Sequence, residues 1–263
     1  MLSIYLVIGA SAGLLTGLLG IGGGIILVPA LSAIFLIHTS IPPSIVMHMA
    51  VGTSLATMIV TLASGGYAHA KQGTVNWMIV KKIAPTLAAG TAVGAIIAHF
   101  IPSHFLVIFF SLFLAAIGIQ LLLPQSKKIV GKSLSESFMR GIAALIGVLS
   151  SFLGAGGGSL MVPFLLRCNL EMHEATGTSL MCGVVVSTVA TTIFMLTGLL
   201  MHANIPWSTG YIYWPAFFGI VIASVLFAPV GAIIGEALPT NVLKRIFAVF
   251  LLLMATDMMF LAS

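Results

Sequence analysis

The chain has 263 residues, of which 60% are hydrophobic and only 6% are charged, and its mean hydropathy is +1.22. So few charges cannot cover so much apolar surface in water, which excludes a soluble domain and indicates a chain embedded in lipid. The formal net charge of +5 comes from basic residues in the breaks between apolar segments. We therefore expect a lipid bilayer as the main partner, and no nucleic acid.

The apolar sequence falls into ten segments, which are candidate helices. In chain order they lie near residues 2–20, 24–38, 45–65, 82–100, 104–123, 138–153, 157–168, 176–200, 211–235 and 242–261. A helix that spans a bilayer needs about 20 apolar residues. The segments 24–38, 138–153 and 157–168 are too short to cross comfortably. The first segment lacks the basic start of a signal peptide, and apolar sequence resumes directly after it.

The chain contains two copies of one pattern. Gly20–Pro29 (GIGGGIILVP) is echoed by Gly154–Pro163 (GAGGGSLMVP), and Met47–Leu55 matches Met172–Leu180 at seven of nine positions. Two further echoes pair His69 and Trp77 with His202 and Trp207, and Val93–Ile97 with Val230–Ile234. The echoes keep their order along the chain. The sequence therefore predicts an N-terminal repeat at residues 1–125, a cytoplasmic linker at 126–137 and a C-terminal repeat at 138–263.

The basic residues predict how the two repeats sit in the membrane. Cytoplasmic loops carry the Lys and Arg residues of membrane proteins. If segments one and two form a hairpin that returns to its own side, and segments six and seven do likewise, all ten basic residues lie on one face. Each repeat is then a glycine-broken helical hairpin plus three transmembrane helices. The predicted fold is an all-α polytopic membrane protein of two inverted-topology repeats, with both termini outside the cell.

The two triple-glycine stretches are the strongest candidates for a binding site. Each would lie at the turn of a hairpin, and the two hairpins would enter from opposite sides and approach each other near the midplane. Non-helical backbone is tolerated there only where protein buries it or a cavity receives it. The helix after each turn would begin inside the membrane, where its free N–H groups and its dipole attract an anion. The candidate residues are Gly22, Gly23, Gly24, Gly156, Gly157 and Gly158; close packing of helices is the alternative role.

Hydroxyls and histidines near the starts of segments three and eight complete the candidate set. Thr53, Ser54, Thr178 and Ser179 belong to the repeated GTS motifs and carry donors for an oxyanion without a charge in lipid. Hydrogen bonds from these hydroxyls to the backbone of their own helix are an equally favoured interpretation. His48 and His173 are candidates for proton coupling because histidine titrates near physiological pH, with an interfacial or capping role as the alternative. Cys168 and Cys182 match no metal-ligand spacing, and we expect neither a metal nor a cofactor.

The duplicated glycine–proline and GTS motifs resemble those of the TauE/SafE family of sulfite exporters, and the resemblance covers nearly the whole chain. The family implies a bacterial or archaeal inner-membrane transporter of small sulfur-containing anions such as sulfite or sulfonates. Ser159 stands where the first repeat has Ile25. The two half-sites, one at each glycine stretch, therefore need not bind the anion equally.

An enzyme and a channel are the rival functions. An enzyme is disfavoured, because no P-loop lysine follows the glycines, the HEATG run at His173 lacks a second histidine, and no nucleophile elbow is present. The sequence therefore predicts a secondary transporter of a small, sulfur-containing oxyanion that works by alternating access with ion coupling left open. A passive anion channel of the same architecture is the alternative. The identity of the anion, the direction of transport and the oligomeric state are not predicted.

Overall fold

A computed structural model describes residues 2–19, 23–38, 41–122, 135–201, 205–237 and 240–262. The described helices are α1 (Leu2–Leu19), α2 (Gly24–His38), α3 (Pro43–Lys71), α4 (Trp77–Phe100), α5 (Ser103–Leu122), α6 (Glu136–Leu153), α7 (Gly158–Arg167), α8 (Met172–Leu200), α9 (Trp214–Ala237) and α10 (Thr240–Ala262). Between α8 and α9, the strands β1 (Ser208–Thr209) and β2 (Ile212–Tyr213) pair antiparallel. Within the described residues, α3, α4, α5, α6 and α8 are long and apolar enough to cross a membrane. The chain is therefore an all-α membrane protein.

Three pairs of helices, taken in the same order from the two predicted repeats, have equal lengths. Helices α1 and α6 both have 18 residues, α3 and α8 both have 29, and α4 and α9 both have 24. Trp77 opens α4 and Trp214 opens α9, whereas Trp207 lies in the preceding loop and is 78% exposed. The structural counterpart of Trp77 is therefore Trp214, which corrects the pairing with Trp207 that the sequence suggested.

Helix α6 is longer than the apolar segment that predicted it. The side chain of Ser135 caps its start by accepting a hydrogen bond from the backbone N–H of Phe138, at 3.4 Å. Glu136 lies in the first turn, where a carboxylate is favoured by the helix dipole. Because hydropathy does not count this polar turn, the segment 138–153 looked too short to span, and the complete helix meets the length and composition of a span.

Helices α3 and α8 form the centre of the bundle and run antiparallel. Gly65, near the end of α3, packs against Leu180, near the start of α8. At the other end, Gly52 of α3 and Gly198 of α8 both contact the backbone of Tyr211, which belongs to the β1–β2 hairpin. Around this centre, α1 packs against α9, α4 against α6, and α5 against α10. In these pairings, α1 and α6 both pack against one of the two 24-residue helices, α9 and α4.

Two short helices are held inside this arrangement. Helix α2 is buried from Ile25 to Val28, where no residue is more than 6% exposed, and it packs against α3. Helix α7 packs against α8 in the same way. Both short helices follow a glycine-rich stretch, so the interior of the bundle receives two helix N-termini.

Candidate anion-binding site

The two glycine stretches contact each other in the interior. Gly24, the first residue of α2, lies against the carbonyl of Gly154, and a Cβ on Gly24 would also lie 2.7 Å from the Cα of Ala155. The hydroxyl of Ser54 donates a hydrogen bond to the same Gly154 carbonyl at 2.9 Å. Only a residue without a side chain fits at Gly24. Gly22 lies outside the described residues.

Both short helices begin in the same manner. The amides of Ile26 and Leu27 both donate to the carbonyl of Gly23, and those of Leu160 and Met161 both donate to the carbonyl of Gly157. The residues before these, including Gly158 at the start of α7, have backbone N–H groups with no acceptor within the helix. These amides and the helix dipole make each start a favourable place for an anion.

The second glycine stretch has the backbone conformation that requires glycine. Gly154, Gly156 and Gly157 have φ values of 58°, 56° and 80°. Gly157 is the N-cap of α7, and no side chain caps the helix from that position. The capping role is therefore open to a ligand or to side chains from neighbouring helices.

The threonines of the GTS motifs link one half of the chain to the other. The hydroxyl of Thr53 accepts a hydrogen bond from the backbone N–H of Tyr213, and that of Thr178 accepts one from the backbone N–H of Asn76, both at 3.0 Å. Tyr213 precedes α9 and Asn76 precedes α4, so the two bonds are equivalent. Each threonine thereby fixes the loop before a helix of the opposite half.

The serines of the GTS motifs also have protein partners. Ser54 bonds Gly154 as described, and the hydroxyl of Ser179 donates to the carbonyl of Thr176 in its own helix, at 2.9 Å. Both serines and both threonines are fully buried. In this conformation, three of the four hydroxyls therefore link separate parts of the bundle, and that of Ser179 bonds within α8.

Sequence reasoning missed a second set of hydroxyls, which surround the second glycine stretch. The oxygens of Ser150, Ser159, Ser187 and Thr191 are buried and have no hydrogen-bond partner among the residues that the structure describes. Ser187 Oγ lies 3.1 Å from the place a Cβ would take on Gly156, and Ser150 Oγ lies 3.3 Å from the corresponding place on Gly157. Because serine in a helix usually bonds its own backbone, no sequence pattern marks these hydroxyls as unpartnered.

A cavity of about 500 Å³ extends along one face of α7. Its walls come from α5, α6 and α7 and are mainly apolar, with Phe113, Ile142 and Leu160 among them. Ser159, in the first turn of α7, lines the cavity, and so does Arg167, the last residue of that helix. The cavity therefore connects the start of α7 with a cationic residue at its other end.

His48 has a hydrogen-bond partner at each ring nitrogen. Its Nε2 lies 3.0 Å from the carbonyl oxygen of Ala98, which can only accept a hydrogen bond. Its Nδ1 lies 3.2 Å from the hydroxyl of Ser103, which also contacts the carbonyl oxygen of Ser44. With Nε2 donating to Ala98, Nδ1 accepts from the Ser103 hydroxyl in the neutral ring and donates to that oxygen in the imidazolium form, in which the hydroxyl donates to Ser44.

The two candidate histidines lie in different surroundings. His48 is 4% exposed, and its ring stacks on Tyr211 with ring centres 5.2 Å apart. His173, at the start of α8, is exposed. Because α3 and α8 run antiparallel, the structure places the two histidines at opposite ends of the central helix pair and does not bring them together. His202 lies outside the described residues.

Comparison with known proteins agrees with this arrangement. A probable membrane transporter protein of Haemophilus influenzae is 33% identical over 258 residues, covering 97% of each chain. The probable membrane transporter protein YunE of Bacillus subtilis is 26% identical over 281 residues, covering 98% of this chain and 97% of its own. The buried helix starts and these relatives define a membrane transporter, not an enzyme.

The family follows from a match along almost the whole chain. The sequence profile named Sulfite exporter TauE/SafE matches residues 5–258. The chain belongs to this family, as its paired glycine motifs predicted. No solved structure matches it significantly.

Proposed function

We propose that the protein is a secondary transporter that moves a small, sulfur-containing oxyanion, such as sulfite or a sulfonate, across the inner membrane by alternating access. The observation that carries this proposal is the contact, in the interior of the bundle, between Gly24 at the start of α2 and the Gly154–Ala155 backbone that leads into the start of α7. A substrate admitted to these helix starts when the two stretches move apart would meet backbone amides and hydroxyls and no full charge, which is costly to place within lipid.

Inverted-topology repeats are the second part of the proposal, and the contacts support it. Equivalent helices α3 and α8 run antiparallel, as expected if one half is inverted with respect to the other. Gly13 of α1 contacts the backbone of Ser224 in α9, and Gly147 of α6 contacts the backbone of Leu87 in α4. The two contacts are equivalent: each becomes the other when every helix is replaced by its counterpart in the other half. Rocking of one half on the other would expose the site to each side in turn.

The direction of insertion is also proposed from charge. Lys82, at the start of α4, forms an ion pair with Glu136 at the start of α6, and Arg140 lies 3.7 Å from the same carboxylate. Phe138 of this region and Arg167 line one cavity, so these basic residues share one end of the bundle. Basic residues gather on the cytoplasmic side, and both termini then face outside.

The proposed site comprises the glycines Gly22, Gly23, Gly24, Gly156, Gly157 and Gly158, with the hydroxyls of Thr53, Ser54, Thr178 and Ser179 as ligands after rearrangement. His48 is the better candidate for proton coupling because its hydrogen bonds change with protonation, while His173 is exposed. The proton of His48 would then couple the ends of α3, α4 and α5 to the transport cycle.

The test is an unfolding-temperature screen of the purified protein with sulfite, thiosulfate, sulfoacetate, taurine, sulfate and carboxylates. A ligand that binds the folded state raises the unfolding temperature by mass action. We expect at least one sulfur oxyanion to do so; stabilisation by cations or neutral sugars and by no anion would contradict the proposal. Uptake into proteoliposomes with and without a proton gradient then separates a carrier from a passive anion channel.

A further inference from the structure

We infer that the anion binds at one half-site only, at the start of α7, where the unpartnered hydroxyls of Ser150, Ser159 and Ser187 complete its coordination. This inference rests on the proposed function and adds the residues and the place of binding. In this conformation Gly24 of the first glycine stretch is, by contrast, closed by protein contacts, so the inference narrows the proposed site to its second half.

The unpartnered hydroxyls carry the inference. Burying a hydroxyl without a hydrogen bond is destabilising, and Ser150 and Ser187 are both fully buried. They come from two different helices, α6 and α8, and their oxygens approach adjacent glycines, Gly156 and Gly157. Together with Ser159, they place three hydroxyls that are unpartnered within the described residues around one uncapped helix start. An oxyanion satisfies such an arrangement of donors.

The equivalent positions in the first half lack this arrangement. By the alignment of the repeated motifs, Ser159 corresponds to Ile25 and Ser187 to Leu62, and both apolar residues are only 1% exposed. Thr16 corresponds to Ser150, and its hydroxyl is already bonded to the carbonyl of Ala12, at 2.6 Å. The hydroxyls are therefore a property of the second half and not of the repeat in general.

The start of α2 is also filled by protein. Gly24 lies against the carbonyl of Gly154 and the sulfur of Met58. The residue equivalent to Met58 in the second half is Gly183, which lies against the backbone of Gly156. The methyl group of the same Met58 also lies against Gly156 of the second stretch, beside Leu62. At Gly157, the N-cap of α7, the nearest atoms are instead those of Ser150 and Val186.

The cavity along α7 lies beside the half-site. Ser159 lines it at the start of the helix and Arg167 lines it at the end, about 12 Å further along at 1.5 Å per residue. Ile146, one turn before Ser150 on α6, lines the same cavity, whereas Ser150 and Ser187 do not. Arg167 would attract an anion to the cavity, and a movement of side chains beside Ser159 would then admit it to the neutral donors. Donors without charge favour a singly charged oxyanion such as methanesulfonate over doubly charged sulfate.

The test measures the affinity of methanesulfonate, sulfite and sulfate for wild-type protein and for S150A, S159A and S187A, by calorimetry and by the shift in unfolding temperature. We expect each variant to raise the Kd of the anion that binds the wild type by about tenfold. Without anion, S150A and S187A should unfold at the wild-type temperature or above it, because each removes an unpartnered buried hydroxyl. If a serine had only a structural role, its alanine variant would instead bind the anion with the wild-type Kd and would unfold at a lower temperature.

S224A is the matched control. Ser224 is 2% exposed in α9, and its hydroxyl donates to the carbonyl of Val221 in its own helix. We expect this variant to bind the anion as the wild type does. Wild-type affinity in both S150A and S187A would overturn the inference and leave the transport proposal standing. Absence of anion binding to the wild type would overturn both.

Discussion

The left-handed glycines of the second glycine stretch could matter for anion binding or only for the backbone conformation, and a substitution at Gly157 separates the two roles. Gly157 has a φ of 80°, and Gly73, in the loop between α3 and α4, has a φ of 72° with no atom of the described residues within 4 Å of the place a Cβ would take. Alanine at either position costs the strain of the left-handed conformation, about 1–2 kcal/mol, and at Gly157 its Cβ would also lie 3.3 Å from Ser150 Oγ. We expect G157A to lower the unfolding temperature at least as much as G73A does, and only G157A to abolish the anion-dependent shift. Equal anion shifts in both variants would contradict a role for the turn.

His48 makes a second prediction at the scale of one residue. Protonation reverses its hydrogen bond with Ser103, because Nδ1 accepts from the hydroxyl in the neutral ring and donates to that oxygen in the imidazolium form. His99 and Tyr211 lie in the same cluster, joined by a 3.3 Å contact between the tyrosine hydroxyl and Nδ1. We expect H48Q to retain transport at a reduced rate and to lose its pH dependence between about pH 5 and 8.

The measurement is the initial rate of anion uptake into proteoliposomes at several pH values. H173Q is the matched control, since His173 is the equivalent residue of the second half and is exposed. This variant should keep the wild-type profile. A wild-type profile in H48Q would remove His48 from the coupling mechanism.

At the scale of elements, the two equivalent threonine bonds hold the halves in register. In T53V the backbone N–H of Tyr213 loses its acceptor, and in T178V that of Asn76 does. Each change should cost about 1–3 kcal/mol, because a buried donor is left unpaired. We expect lower unfolding temperatures for both valine variants and near-normal ones for T53S and T178S, which keep the hydroxyl. Unchanged stability with weaker anion binding would instead assign these hydroxyls to the ligand.

The elements themselves could largely be predicted from the sequence. Helix starts at Gly24 and Gly158 follow from the glycine stretches, and the long central helices follow from uninterrupted apolar sequence. The pairing of Trp77 with Trp214 was missed, because a closer tryptophan, Trp207, offered a local match while the loop before α9 is longer than its counterpart. Matching short motifs between the two repeats does not reveal that one loop contains additional residues.

The site was less predictable than the helices. The glycines can be recognised by composition, but a serine in a helix looks the same in sequence whether or not its hydroxyl is bonded. Within the part of the chain that the structure describes, the packing of α6 and α8 around Gly156 and Gly157 leaves Ser150 and Ser187 without partners. The burial of Tyr211, at 2% exposure in a loop, was likewise decided by tertiary contacts with two glycines on separate helices.

At the scale of the whole molecule, the inverted arrangement predicts which loops reach which side of the membrane. Gln72 is exposed after α3, His104 is exposed at the start of α5, and Trp207 is exposed before α9. Single cysteines should be placed at these positions in a background without Cys168 and Cys182. A membrane-impermeant maleimide added to intact cells should label positions 104 and 207 and not position 72. Labelling of 72 and 207 from the same side would contradict the inversion.

The β1–β2 hairpin has a consequence for the energetics of the transport cycle. Two identical halves related by a two-fold axis would give inward-open and outward-open forms of equal free energy, since each form would be the other with the halves exchanged. The hairpin breaks that degeneracy, because Tyr211 fills the space between Gly52 and Gly198 at one end of the central helix pair. At the other end, the tighter turn after α3 places Thr74 and not a tyrosine against Gly177. In the proposed transport cycle, we therefore expect this hairpin to favour one orientation of the transporter over the other.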